Sequence, residues 1–370
     1  MQDPDYKKSD NKYILPEYYS IYFYSVPYKF YKEFVNWPVS MEHIITDIRF
    51  QRSAIRKKMK NLLYAFGILE LLLFLLIHPA ESLACARAGM TLWLNTLIPT
   101  LLPFIILTGI LTRMDIIQEL LSPFERCFRI ALGVSSWGGY IFILGMLCGY
   151  PLGAKLASDL YVSNRISKKE ALYLTTFCNN PSPAFVITYL SKFCLKDTVP
   201  AAMIFFSIFF TDLVCMLFFR FVVYKNTFSD CPVPAGSDKE TSNITSNENL
   251  LDVSIMNGFE TIARLGGYIL LFSILAGCIR YYHLFPAFWQ YMLLGFTEIT
   301  TGLSFLAASG LPSVMCISLS VAATASGGLC ILAQTRSILH RDLSLIPYIV
   351  SKCISAILAT GIIYCFLSYM

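Results

Sequence analysis

The chain has 370 residues, of which 56% are hydrophobic and 14% charged, with a formal net charge of +5. Soluble domains run at about 45–50% apolar and about 25% charged, so the composition excludes an ordinary aqueous fold and points to a membrane protein. Eleven of the 29 Lys and Arg precede residue 61, so the charge bears on membrane orientation rather than on nucleic acid, for which no zinc-finger or RNP-type motif speaks.

Residues 1–60 read as a cytoplasmic extension, aromatic first (Tyr18, Tyr19, Tyr22, Phe23, Tyr24, Tyr28, Phe30, Tyr31) and then basic (Arg49, Arg52, Arg56, Lys57, Lys58, Lys60). They lack the apolar run and small-residue cleavage site of a signal peptide. The basic cluster suits a cytoplasmic anchor at the first span. Nine apolar segments follow, at 61–78, 87–112, 137–160, 168–191, 199–221, 253–279, 287–309, 313–335 and 345–367. Residues 113–136, with Arg113, Asp115, Glu119, Glu125, Arg126 and Arg129, are amphipathic and fit the membrane surface. Residues 225–251 are a polar linker rich in Ser, Asn and Thr. The linker divides the first span and repeat 1 (61–224) from repeat 2 (252–370). Twelve cysteines scatter without a CxxC pair and read as small hydrophobes; no metal site and no cofactor is expected.

The two halves share a pattern of interruptions. Gly149-Tyr150-Pro151-Leu152-Gly153 corresponds to Glu298-Ile299-Thr300-Thr301-Gly302, and Asn179-Asn180-Pro181-Ser182-Pro183 to Ala323-Thr324-Ala325-Ser326-Gly327. The last two segments of each half keep one offset, 144 residues. If all nine segments cross, eight Lys/Arg beyond the extension fall on each side. If 137–160 and 287–309 instead dip in and return, twelve fall inside and four (Arg87, Lys192, Lys196, Arg280) outside, as the positive-inside rule favours. The expected class is therefore all-α: a polytopic membrane protein of inverted repeats with two re-entrant helical hairpins and a cytoplasmic N-terminus.

Unwound backbone in lipid costs several kcal/mol per unsatisfied group, so four matched breaks imply a shared polar cavity. Pro151 suits the first position of a half-helix, as does Pro181 or Pro183; Thr300, Thr301 and Ser326 are N-cap types. Helix N-termini converging on a cavity favour an anionic or acceptor-rich solute. The candidate binding residues are Tyr150, Pro151, Gly153, Asn179, Asn180, Ser182, Arg264, Glu298, Thr300, Thr301, Ser326 and Gln334. Glu298 is a ligand for a coupling proton or sodium ion, or a cap for the opposite hairpin. Arg264 pairs with a solute carboxylate, or with Asp212 or Glu260. Lys155 snorkels, and Asp212 with Lys352 forms a structural pair across the final helices. A charge at a helix centre costs about 2.5–3.5 kcal/mol on insertion scales, so each of these needs a partner. No HExxH, GxSxG or Walker spacing suggests an enzyme.

His78-Pro79-Ala80-Glu81-Ser82, Leu92-Trp93-Leu94-Asn95-Thr96, Gly149-Tyr150-Pro151-Leu152-Gly153-Ala154-Lys155, Phe177-Cys178-Asn179-Asn180, Leu265-Gly266-Gly267-Tyr268 and Glu298-Ile299-Thr300-Thr301-Gly302 closely resemble the YlbJ-type sporulation integral membrane proteins, across about residues 61–368. The aromatic extension and Ala325-Ser326-Gly327-Gly328 depart from that pattern. The resemblance implies a nucleoside-recognition or gate domain, with hairpins similar to those of concentrative nucleoside transporters. It further implies movement of dipicolinic acid from the mother cell across the outer forespore membrane. The partners expected are that small solute and the lipid bilayer, with no nucleic acid and with a homo-oligomer left open. The rival expectations are transport of a nucleoside or another solute, a sporulation scaffold that carries nothing, and an ion-driven gate.

Overall fold

The computed structural model describes residues 58, 59, 61, 62, 65–113, 116–225, 248–283 and 285–369. The aromatic stretch, most of the basic cluster and most of the linker lie outside the described residues. The described residues form helices joined by turns, with no strand among them, and five helices are long and apolar enough to cross a membrane: Pro79–Arg113, Ala201–Val223, Leu250–Tyr282, Ser313–Ile338 and Ile346–Tyr369. The chain is thus a multi-pass, all-helical membrane protein.

In chain order the helices are α1 (Ala65–Ile77), α2 (Pro79–Arg113), α3 (Ile116–Leu121), α4 (Glu125–Ala131), α5 (Ser136–Cys148), α6 (Leu152–Val162), α7 (Lys168–Phe177), α8 (Phe185–Cys194), α9 (Ala201–Val223), α10 (Glu248–Tyr282), α11 (Ala287–Thr297), α12 (Ile299–Ala307), α13 (Ser313–Ser326), α14 (Gly328–Ile338) and α15 (Ile346–Tyr369).

α2 begins with Pro79 at its first position, where the missing N–H would have no intrahelical partner anyway. A π-turn at Trp93–Leu97 interrupts it, followed by Pro103 inside the helix. α2 packs against α10 along its length, through small residues that let the backbones approach. Gly277 lies against Cys85, Gly89 against Ser273, Gly266 against Trp93, Gly258 against Ile106, and Gly109 against Ser254. Along this seam the residue numbers rise on one helix as they fall on the other, so the first long helices of the two halves are antiparallel. Trp93 Nε1 donates to Ile262 O at 2.9 Å and ties the π-turn to α10.

α3 and α4 lead to α5 through a bend of 82°. The bend is held by side chains of later helices. The buried Arg220 of α9 donates to Ile130 O at 3.0 Å and Ala131 O at 2.9 Å, capping the carbonyl end of α4. Ser135 is the N-cap of α5, and both its N–H and its hydroxyl donate to Glu170 Oε1 at 2.8 Å. Glu170 belongs to Ser167-x-x-Glu170, which has the spacing of a capping box. Ser167 caps α7, but the Glu170 carboxylate crosses to Ser135 rather than closing the box.

α5 packs against α6, and α11 against α12. Cβ atoms at Gly145 of α5 and Gly153 of α6 would lie 2.2 and 2.0 Å from the same atom, Cys178 O. Residues eight apart in a straight helix are about 12 Å apart, so α5 and α6 must double back at the cis Tyr150–Pro151 bond. In the second half, a Cβ at Gly302 of α12 would reach within 2.6 Å of Gly295 Cα of α11, so those helices fold back at Glu298. α7–α8 and α13–α14 are interrupted without turning into hairpins, at residues 178–182 and at Gly327. Two apolar clusters flank the breaks. One gathers around α5, α6 and α7, and the other around α8, α9, α12, α13 and α15.

Candidate functional site

The four breaks meet. Gly149, with φ +82°, presses on Ser182, and Gly145 and Gly153 press on Cys178, so the α5–α6 tip is seated on the α7–α8 break. From the same tip, the Tyr150 hydroxyl donates to Thr324 O at 2.6 Å, in the last turn of α13. Gly328, with φ +70°, abuts Phe296 O beside the α11–α12 tip. Tyr189 of α8 donates to Thr300 O at 2.6 Å, joining the first half to the start of α12. Tyr150 thereby satisfies a carbonyl that the α13–α14 break would leave bare, while Tyr189 adds a second donor to a carbonyl in the first turn of α12. Tyr150→Phe, which keeps the ring and removes the bond, is expected to cost about 0.5–1.5 kcal/mol, read as a lower unfolding temperature in detergent.

Each half-helix end has its own solution. Pro183 begins the helical turn that leads into α8, and Ser182 Oγ accepts from Phe185 N at 3.2 Å. Pro151 sits one place earlier than expected, as the N-cap of α6, with no side-chain cap there. α12 is capped by Glu298 rather than by Thr300 or Thr301. The Glu298 carboxylate accepts from Thr300 N at 3.1 Å, Thr301 N at 2.6 Å and the Thr300 hydroxyl at 2.6 Å. It caps its own hairpin, not the opposite one, because the extended backbone at Glu298 (φ −145°, ψ 117°) returns the side chain onto the next two residues. The Thr301 hydroxyl instead lies 3.4 Å from that of Ser273 on α10. Ser326 Oγ accepts from Gly328 N at 3.3 Å from the end of α13. Three of the four half-helix N-termini are therefore occupied by the chain's own oxygens.

A polar cluster lies where α7–α8, α9, α14 and α15 meet. Lys352 is 4% exposed and Asp212 1%, and their charged atoms are 3.8 Å apart. Lys352 Nζ also donates to Asn180 Oδ1. The Ser355 hydroxyl reaches Asp212 Oδ1 at 3.4 Å, and Ser351 donates to Thr176 O at 2.5 Å. Asn179 Nδ2 donates to Thr335 Oγ1 of α14 at 3.1 Å. The rings of Tyr150 and Tyr348 flank Lys352 Nζ at 5.7 and 5.8 Å from their centroids.

The structure thus brings Tyr150, Pro151, Gly153, Asn179, Asn180 and Ser182 together, and gathers Glu298, Thr300 and Thr301 at the other tip. Gln334 is buried and donates to Cys330 Sγ at 3.2 Å, within α14. Arg264 stands apart. Its side chain is 53% exposed and its ion pair is with Glu260, one turn away on α10. That helix turns Ile262, Leu265 and Gly266 inward, which leaves residues 260 and 264 on the outer face. Lys155 pairs with Asp159 at 3.1 Å on α6. Tyr189, Thr335, Tyr348, Ser351 and Ser355 belong to the junction without having been singled out by sequence. Each is a polar residue inside an apolar segment, and that was the signal available.

No protein-family model matches the chain, and no solved structure matches it. An aligned region of 233 residues is 29% identical to the sporulation integral membrane protein YlbJ of Bacillus subtilis (strain 168). Over that region this chain is similar to a YlbJ-type sporulation membrane protein. The alignment takes in 59% of the chain and 56% of the YlbJ sequence, so the chain spans little more than half the length of that relative.

Proposed function

We propose that the chain is a secondary transporter of sporulating cells, and that its solute is dipicolinate, moved from the mother cell across the outer forespore membrane. The observation that carries this reading is the convergence of four helix breaks on buried polar side chains. Irregular backbone at membrane depth is tolerated where it is enclosed by protein or lines a solute path, and discontinuous helices meeting between two halves are a recurrent transporter arrangement. In this reading α5–α6 and α11–α12 are re-entrant hairpins entering from opposite faces. The antiparallel α2 and α10 are then equivalent helices of inverted repeats. At 13 and 11 residues, and at 11 and 9, the hairpin arms are shorter than the roughly 20 residues a crossing helix needs. The N-terminus and the linker face the cytoplasm. The chemistry is binding and release, with no bond made or broken in the solute.

The test is flux into liposomes containing the purified full chain. Saturable dipicolinate uptake is expected. Uptake of nucleosides alone would move the assignment to another solute, current without saturation would make the protein a channel, and no flux of any solute would leave a scaffold.

A further inference from the structure

We propose that Lys352 is the cation that receives a carboxylate of the solute, and that Asp212 is its resident counter-ion, which yields by taking up a proton. An anionic solute and a proton then travel together. This deepens the transport reading above and rests on it.

The sequence suggests a merely structural pair, and the geometry argues against that. Burying two charges is repaid only by close, fully hydrogen-bonded geometry. A charge-assisted N–H···O bond is about 2.7–2.9 Å long, whereas Lys352 and Asp212 stand 3.8 Å apart. The ammonium also bonds to a neutral amide, Asn180 Oδ1, in the α7–α8 break, so Asp212 is not its sole partner.

The surroundings are polar and aromatic. Tyr348 lies beside Thr335 and Asn179, whose neighbour Asn180 holds the Lys352 ammonium. Tyr150 and Tyr348 present two aromatic rings to that ammonium, walls suited to a flat aromatic acid.

Elimination reaches the same residue. Among the described residues the buried Lys and Arg are Arg220 and Lys352. Arg220 caps the carbonyl end of α4. Arg264, the sequence candidate, lies on an outer face. Lys155, in the first turn of α6, is partly exposed and paired with Asp159 at 3.1 Å, so Lys352 is the buried cation beside the breaks. The other titratable groups around the pair are Cys178 at the break, Cys215 on α9, Tyr150 at the hairpin tip and Tyr348 on α15.

The step balances without a further reactant. In the empty state the ammonium of Lys352 is neutralised by the Asp212 carboxylate. A solute carboxylate approaches the ammonium, and one proton from water on the side of entry adds to Asp212. The pair keeps one cation and one carboxylate, now Lys352 and the solute carboxylate it receives, and a dicarboxylate brings its second negative charge in addition. Release on the far side returns the proton to water there.

The experiment uses the full chain in liposomes, with pyridine-2,6-dicarboxylate as probe and pyridine-2,6-dicarboxamide as its uncharged counterpart. One proton bound per carboxylate makes wild-type affinity for the acid rise about tenfold for each unit fall in pH while Asp212 is ionised. Asp212→Asn is expected to abolish that dependence and the accompanying proton entry. Lys352→Met is expected to weaken binding about 100-fold. The double variant Asp212→Asn/Lys352→Met leaves no lone buried charge, so it is expected to remain monodisperse yet neither bind nor carry the acid. The proposal is overturned if the double variant carries the acid like wild type, or if wild-type affinity is independent of pH. It is overturned too if the dicarboxamide binds as well as the acid. If wild type carries no solute at all, the transport reading itself fails, an outcome separate from a wild type and a double variant that both carry the acid.

Discussion

Replacing Gly153 with valine is expected to yield no monodisperse protein, and Gly153→Ala a protein of clearly lowered unfolding temperature. A Cβ at residue 153 would stand 2.0 Å from Cys178 O and 2.7 Å from Cys178 C. Both atoms are backbone, so no rotamer change relieves the clash; α6 would have to leave the α7–α8 break. Overpacking costs about 1–3 kcal/mol, and rigid neighbours place this site at or beyond the upper end. The gain from replacing a helical glycine with alanine, about 1 kcal/mol, is too small to compensate. Gly267 is the control, since a Cβ there meets nothing within 4 Å. Gly267→Ala is expected to be neutral or slightly stabilising. Size-exclusion profiles and thermal unfolding in detergent separate the cases. Equal behaviour of the two alanine variants would mean that the hairpin is not seated on the break.

Glu298→Ala is expected to cut solute transport below about a tenth of wild type and to destabilise the fold by about 2–4 kcal/mol, given three hydrogen bonds to a buried carboxylate. Removing it leaves Thr300 N and Thr301 N without an acceptor at the tip of the α11–α12 hairpin. Glu298→Gln keeps one carbonyl acceptor but turns an amide toward a donor, so an intermediate loss is expected. The measurement is flux per folded protein in liposomes, together with the dipicolinate content of spores carrying each variant at matched protein levels. Full flux from Glu298→Ala would mean that the cap, and the tip it shapes, has no part in solute movement.

The fold was legible because the solvent is severe. A bilayer demands long apolar runs and internally bonded backbone, and the sequence shows both the runs and the Gly and Pro residues that interrupt them. Gly149, Pro183 and Gly327 mark real interruptions. The partners at the breaks were less legible. A glutamate followed by two threonines reads equally well as an ion ligand or a cap, and only the extended backbone at Glu298 settles that it caps its own helix. Arg264 misled because α10 is apolar on most of its circumference, so periodicity does not say which face carries the charge. Lys352 was visible as a charge inside an apolar span. Its place could have been read further: removing the 144-residue offset from Lys352 lands on Ile208, one helical turn from Asp212. Tyr150 and Tyr189 were hidden among 22 tyrosines, since their roles depend on which carbonyls the packed half-helices present to them.

The account turns on two hairpins that enter from opposite faces and return. Cysteines placed one at a time at Arg126, Lys169, Lys196 and Ala308, in a cysteine-free background, can be probed with a thiol reagent that does not cross membranes. Arg126 and Lys169 bracket α5–α6, while Lys196 and Ala308 precede α9 and follow α12. Labelling of positions 126 and 169 from one face, and of 196 and 308 from the other, is the expected result. Labelling of 126 and 169 from opposite faces would make α5–α6 a crossing and contradict the account.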